Sequence, residues 1–315
     1  MVRSLPSQEF LCLCFSASPA TFFYKGNSDA EHRSIPRKLK NLLFLILISE
    51  LTYFSFYTLL HMRHVGFGIQ AVINTIEAEV LNYYCKELTA RLIVFAPPFN
   101  GIGWFISSLV VVYLVIWPMI RKERFRQFLL AFVVLMLLWL PVSRVLALLG
   151  LEGWLLYERI LPLLPLPFFA IGYMMHVHQS FFNGKSDRSC LIVLAAGLLL
   201  TLAENTLHKP TLYVGTVLMV PATLLLCTKH SGYAPRSVFG RVMSHIGEKT
   251  ATYIYLFHIL IETVMRVAID AVFPGIREGN LFLAIYPFLV FAASAVFGEI
   301  IYRLKLLKKH LSPKS

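Results

Sequence analysis

Acidic side chains are scarce in this sequence: 17 Asp and Glu stand against 29 Lys and Arg among 315 residues, and charged residues together make up only 15%. Cysteine is scarce too. The five present, Cys12, Cys14, Cys85, Cys190 and Cys227, show no paired metal-ligand spacing, so buried, inert thiols are expected and no metal site is assigned. Cys12 and Cys14 as a lone redox or metal pair is the alternative. Soluble catalytic signatures are missing altogether. There is no Gly-x-Ser-x-Gly, no His-Glu-x-x-His, no phosphate-binding Walker loop and no Rossmann glycine pattern, which argues against an ATP-driven pump. No pair of related halves or broken helices of the secondary-transporter kind is found.

What the chain does contain is apolar. Hydrophobic residues make up 57% of it and the mean hydropathy is +0.68, more apolar side chain than a soluble domain of this length buries. The runs lack the period-2 alternation of barrel strands, so helices must satisfy the backbone in lipid. The formal charge of +12 sits in short basic clusters between apolar runs, the pattern that orients spans and not one that grips nucleic acid.

The expected spans are Leu42 to Leu60, Ile102 to Ile120, Phe128 to Leu149, Ile160 to Val177, Cys190 to Leu207, Leu212 to Thr228, Thr252 to Val272 and Leu281 to Arg303. Residues 1–40 read as an irregular N-terminal segment, too polar for a span and poor as a signal peptide, with GNSDAEHRSIPRKLK polar and turn-rich. Residues 41–305 form the bundle and 306–315 a basic tail. Between the first two spans, His61 to Gly101 carries Val72, Ile76, Val80 and Tyr83 or Tyr84 on one helical face, as an interfacial amphipathic helix does. A short insertion at Leu92 to Phe99 is the further option there, with Pro97 and Pro98 marking a re-entrant turn or helix entry. SVFGRVMSHIGEK reads as a short helix lying on the cytoplasmic surface.

Placing Arg37, Lys38 and Lys40 inside puts RKERFR, the Lys185/Arg188 loop, the Lys229 to Lys249 loop and the tail inside as well. The expected fold is therefore all-α, a polytopic transmembrane bundle of about eight helices with both ends cytoplasmic, in the cytoplasmic membrane.

An ionisable group at mid-membrane costs a few kcal/mol on insertion scales and needs a partner or a task. His258, Glu262, Arg266 and Asp270 recur every four residues in the seventh span, along one slowly drifting face that should point into the protein. That face reads either as a cavity or proton path, or as a self-paired helix in which Glu262 neutralises Arg266. Glu50 and Glu204 lie where snorkelling is hard, whereas Arg144, Arg159 and Glu299 should snorkel to an interface. His176 and His178 read as interfacial residues, their i, i+2 spacing on a helix being wrong for a metal.

Three stretches, in order, carry a resemblance. FNGIGWFISSLVVVYLVIWPMI, RILPLLPLPFFAIGYMM and GEKTATYIYLFHIL resemble the Trp-Phe-Leu, Arg…Pro-Phe-Phe-x-x-Gly-Tyr and Ile-Tyr-Leu-x-His spans of acyltransferase family 3, the integral-membrane O-acyltransferases of cell-surface sugars. The resemblance implies transfer of an acyl group, commonly acetyl, from acyl-CoA to a hydroxyl of a glycan or lipid-linked sugar, with no bound cofactor. It also implies ten core spans and a catalytic Arg followed about ten residues later by a His in the first. That pair has no match here, and Leu42 to Leu60 corresponds to the family's third span. The chain is accordingly expected to be an N-terminally truncated or altered-frame product with little transferase activity. Catalytic candidates within it are His258, Glu262 and Arg266; Arg159, Glu204, Trp104 and Tyr255 are candidates for substrate contact. Arg121, Lys122 and Arg124 either attract the donor's phosphates or simply anchor the loop inside. The alternatives are an export or transport component using the His258 to Asp270 face, and a non-catalytic remnant.

Overall fold

A computed structural model describes residues 28–66, 68–77, 104–150, 165–207, 212–230, 236–273 and 280–311. The helices are α1 (Ser28–Val65), α2 (Ile69–Ile76), α3 (Trp104–Ile116), α4 (Phe125–Leu148), α5 (Pro165–Val177), α6 (Gln179–Asn183), α7 (Asp187–Leu207), α8 (Val214–Lys229), α9 (Val238–His245), α10 (Ala251–Val272) and α11 (Asn280–Leu311). A π-helical turn, Ile246–Thr250, joins α9 to α10. No strand occurs among the described residues. Each of the eight expected apolar runs holds a helix, and four helices, within α1, α4, α7 and α11, are long and apolar enough to cross a bilayer. The chain divides into two compact units, Met1–Gly232 and Tyr233–Ser315.

In the first unit α5 is the organising element. It is apolar on every side, and Leu166, Phe168, Phe169, Ala170, Tyr173 and Met175 are all buried, the pattern of a helix with protein all around it. Phe169 and Tyr173 join Val112, Tyr113 and Ile116 of α3, Leu129 of α4, and Ile35 and Leu39 of α1 in one cluster. Phe168 and Met175 enter a second cluster with Met136 and Leu140 of α4, Cys190 of α7 and Val217, Val220 and Leu224 of α8. Edge-to-face rings knit the first cluster, Tyr113 on Phe169 at 6.0 Å and Phe125 on Tyr173 at 5.4 Å.

Helices α7 and α8 are the most intimate pair. A Cβ built on Gly215 would lie 2.1 Å from the Gly197 carbonyl oxygen and 2.3 Å from Thr201 Oγ1. Two facing glycines thus let the backbones touch, as small residues do between helices in lipid. In the second unit α10 packs on α11, with Leu256, Phe257 and Leu260 buried and Phe257 edge-on to Phe297.

Four expectations need revision. The first helix begins at Ser28 instead of Leu42, so the turn-rich reading of residues 28–40 fails. Ile35 and Leu39, one turn apart, are buried in the core, and Asp29 and Glu31 suit the first turn of a helix, so packing carries the helix through Pro36. The second span ends its helix at Ile116, because Pro118 has no amide to donate; turns then carry the chain to a buried Ile120. Between the first two spans, α2 folds back on α1 through Ala71 and Thr75, with His61 Nδ1 2.8 Å from Thr75 Oγ1, while Ile69, Ile73 and Ile76 face outward. Val80, Tyr83, Tyr84 and the 92–99 insertion lie outside the described residues. Finally, Cys190 is buried as expected but Cys227, on α8, is exposed.

Candidate functional site

Two polar constellations stand out, one in each unit. In the first unit the opening turn of α8 presents amides with no acceptor inside the helix, and its N-cap, Tyr213, supplies no side-chain cap. Glu204, near the end of α7, fills that place: its Oε2 accepts from the Gly215 amide at 3.3 Å, a carboxylate at a helix N-terminus. Arg144 of α4 completes the cluster. Its Nη2 donates to Glu204 Oε1 at 2.9 Å and to the Leu212 carbonyl at 2.7 Å. Beside them Tyr213 donates its hydroxyl to Asn205 Oδ1 at 2.9 Å.

The side chains of Arg144 and Glu204 are 26% and 15% exposed, so both charges are largely withdrawn from solvent. Arg144 therefore does not snorkel away to an interface; it is held inward by an anion and a carbonyl it can reach together. Replacing Arg144 with Met is expected to cost about 2 kcal/mol, below the 3–5 kcal/mol of a fully buried pair, because Glu204 loses its cation while keeping one amide. Unfolding in detergent of Arg144→Met, Glu204→Met and the double variant checks this; the double variant should recover part of the loss.

In the second unit the seam on α10 is only partly enclosed. His258 and Glu262 are half-buried, whereas Arg266 and Asp270 are exposed, so the face is not uniformly inward. Glu262 and Arg266 make no ion pair with each other among the described residues, against the self-paired reading. The informative side chain is His258. Its Nδ1 lies 2.8 Å from the Tyr255 carbonyl oxygen and 3.3 Å from that of Ile254. Carbonyls only accept, so Nδ1 carries the hydrogen, and in the neutral ring Nε2 keeps the lone pair. The Tyr255 ring sits 6.2 Å from the imidazole, and Tyr286 of α11 donates to the Glu262 carbonyl at 3.0 Å. Trp104 opens α3, and Arg159 lies outside the described residues.

Charge clusters occupy helix ends. Lys229 and His230, closing α8, both engage Asp187, which opens α7, His230 Nε2 at 2.8 Å. Arg121 Nε donates to Asp29 Oδ1 at 3.0 Å, so one of the three basic residues in that turn already holds an anion. Glu299 of α11 takes His245 Nε2 and Arg303 Nε at 2.7 Å each, with the Tyr302 ring edge-on to His245. In the turn before α10, the Glu248 carboxylate holds the Lys249 ammonium above the usual lysine range. Sequence reasoning did not link Asp187 to Lys229 and His230. The signal was an acid at the start of one helix and cations at the end of the next, which an antiparallel hairpin brings together.

A family model described as an acyltransferase domain matches residues 14–302. No curated protein and no solved structure matches the chain.

Proposed function

We propose, from the premise that this chain belongs to acyltransferase family 3, that it transfers an acyl group, acetyl in the first instance, from acyl-CoA to a hydroxyl of a glycan or lipid-linked sugar. Membership in that family and four bilayer-length apolar helices make it a multi-pass membrane acyltransferase. The finer reading gives it eight spans with both ends cytoplasmic, in the cytoplasmic membrane, so the donor arrives from the basic side. Lys122 and Arg124 in the α3–α4 turn then attract its phosphates, beside the Arg121–Asp29 pair.

His258 is the base. Nε2 takes the proton of the acceptor hydroxyl as that oxygen attacks the thioester carbonyl. The carbon–sulfur bond breaks, and the leaving thiolate of CoA takes the proton back from the imidazolium. Tyr255, Glu262 and Arg266 share that helix with His258, and Arg159, Trp104 and Glu204 stay as candidates for substrate contact. Glu204 has its orientation fixed by Arg144.

The match over residues 14–302 carries the reading. Its test is transfer of labelled acetyl from acetyl-CoA to a lipid-linked sugar by the purified chain in proteoliposomes. Label in the sugar, against the low activity expected from the unmatched Arg–His pair, is the result that supports the reading. Movement of the sugar across the bilayer without acyl-CoA, and no label, would replace transferase by exporter; neither activity would leave a non-catalytic remnant.

A further inference from the structure

Helix α9 leaves an apolar arc uncovered. At helical spacing Val238, Val242, Ile246, Phe239 and Met243 fall within roughly 140° of one another, opposite Ser244 and Arg241. Val238 is 69%, Phe239 74% and Val242 50% exposed. The helix is well formed, with Ser237 capping it through the Gly240 amide at 3.0 Å. A capped helix presenting Phe and Val outward is placed for an apolar medium.

Its depth follows from its anchors. His245 is bonded to Glu299, which lies five residues before Leu304, the end of the apolar stretch of α11. At the α-helical rise that is roughly 7 Å inside the end of the span, the depth at which interfacial helices lie. The turn after α9 is held as closely: a Cβ on Gly298 would meet Thr250 at 3.3 Å. The rim is basic. Arg236 and Arg241 flank the arc, while Lys249 is held by Glu248, the one carboxylate between Arg236 and Lys249.

We propose that α9 is a lipid-binding helix, its apolar arc set among the upper acyl chains and Arg236 and Arg241 holding anionic headgroups of the same leaflet. The occupant is the bilayer itself, because α9 runs through a single turn into α10 and is tied to α11, and its rim complements anionic lipid. The proposal stands apart from the acyl-transfer reading and survives its failure.

The test places an environment-sensitive fluorophore on Phe239→Cys in the full chain, with the five native cysteines changed to Ser, in vesicles of phosphatidylcholine with and without phosphatidylglycerol. Spin-labelled phosphatidylglycerol is expected to quench the probe more than spin-labelled phosphatidylcholine does. That preference should fall by roughly fivefold for each of Arg236→Gln and Arg241→Gln. Equal quenching by the two lipids overturns the proposal. So does quenching by aqueous iodide alone, which puts the face in water, or protection from lipid and iodide together, which puts a protein surface or a second copy over it. Hydrogen exchange of the unaltered chain is the independent check. Amides of 238–245 should exchange more slowly in vesicles containing phosphatidylglycerol, and identical rates in both compositions overturn the proposal as well.

Discussion

Acyl transfer by His258→Gln is expected to fall roughly 10²- to 10⁴-fold, the range a positioned general base contributes. The substitution is chosen to separate chemistry from folding. Gln keeps a similar length and a polar amide at the position of Nε2, but that amide is far too weak a base to take up a proton there. Proton removal belongs to the transition state, so kcat should drop with KM little changed. Glu262→Gln and Arg266→Gln, if these residues hold the acceptor, should act mainly on KM. Full activity in His258→Gln, with an unchanged melting curve, would move the base to another residue and end the assignment.

The largest structural effect is expected at Gly215. Alanine there improves helix propensity by about 1 kcal/mol. Against that, its methyl would stand 2.1 Å from a carbonyl oxygen on the facing helix, backbone that cannot swing aside as a flexible side chain can. Parting α7 from α8 disturbs the Gly197 contact and the Gly215 amide bond to Glu204 together. The net loss should be about 3 kcal/mol, the upper part of the overpacking range. Thermal unfolding in detergent measures it, with Gly247→Ala as control: nothing lies within 4 Å of a Cβ at Gly247, so that variant should hold or slightly gain stability. A Gly215→Ala protein as stable as the parent would show that the two backbones are not in contact.

The eight runs were legible because hydropathy over a span is a local property, and each run does hold a helix. Helix ends were less so. The start of α1 at Ser28 depends on Ile35 and Leu39 finding α3, α4 and α5, and such partners are invisible in the polar stretch that surrounds them. Arg144 and Glu204 were each read as intramembrane charges, yet their pairing across 60 residues was not seen, since a sequence gives depth without neighbours. At His258 the four-residue spacing drew attention to α10. Which ring nitrogen keeps its lone pair required the carbonyls of the preceding turn in place. The close approach at Gly197 and Gly215 escaped for a related reason: two glycines on different helices form no motif until the helices face each other.

The lengths of two elements, α1 and α8, have a bearing on the lipid. Helix α1, with 38 residues, extends roughly 57 Å, nearly twice a hydrocarbon core of about 30 Å. Its apolar run, Leu42 to Leu60, covers roughly 28 Å of that, with polar turns left over at either end and its start packed into the core by Ile35 and Leu39. Helix α8 has 16 residues, roughly 24 Å, and its two ends are tied to α7 by Glu204 and by Asp187. A helix clamped at both ends has no turns to spare. In the eight-span reading the leaflets beside α8 then pinch by several ångströms, or headgroup and water reach down to the charged clamps. Bilayer thickness becomes, in that reading, a variable to which the α7–α8 pair responds.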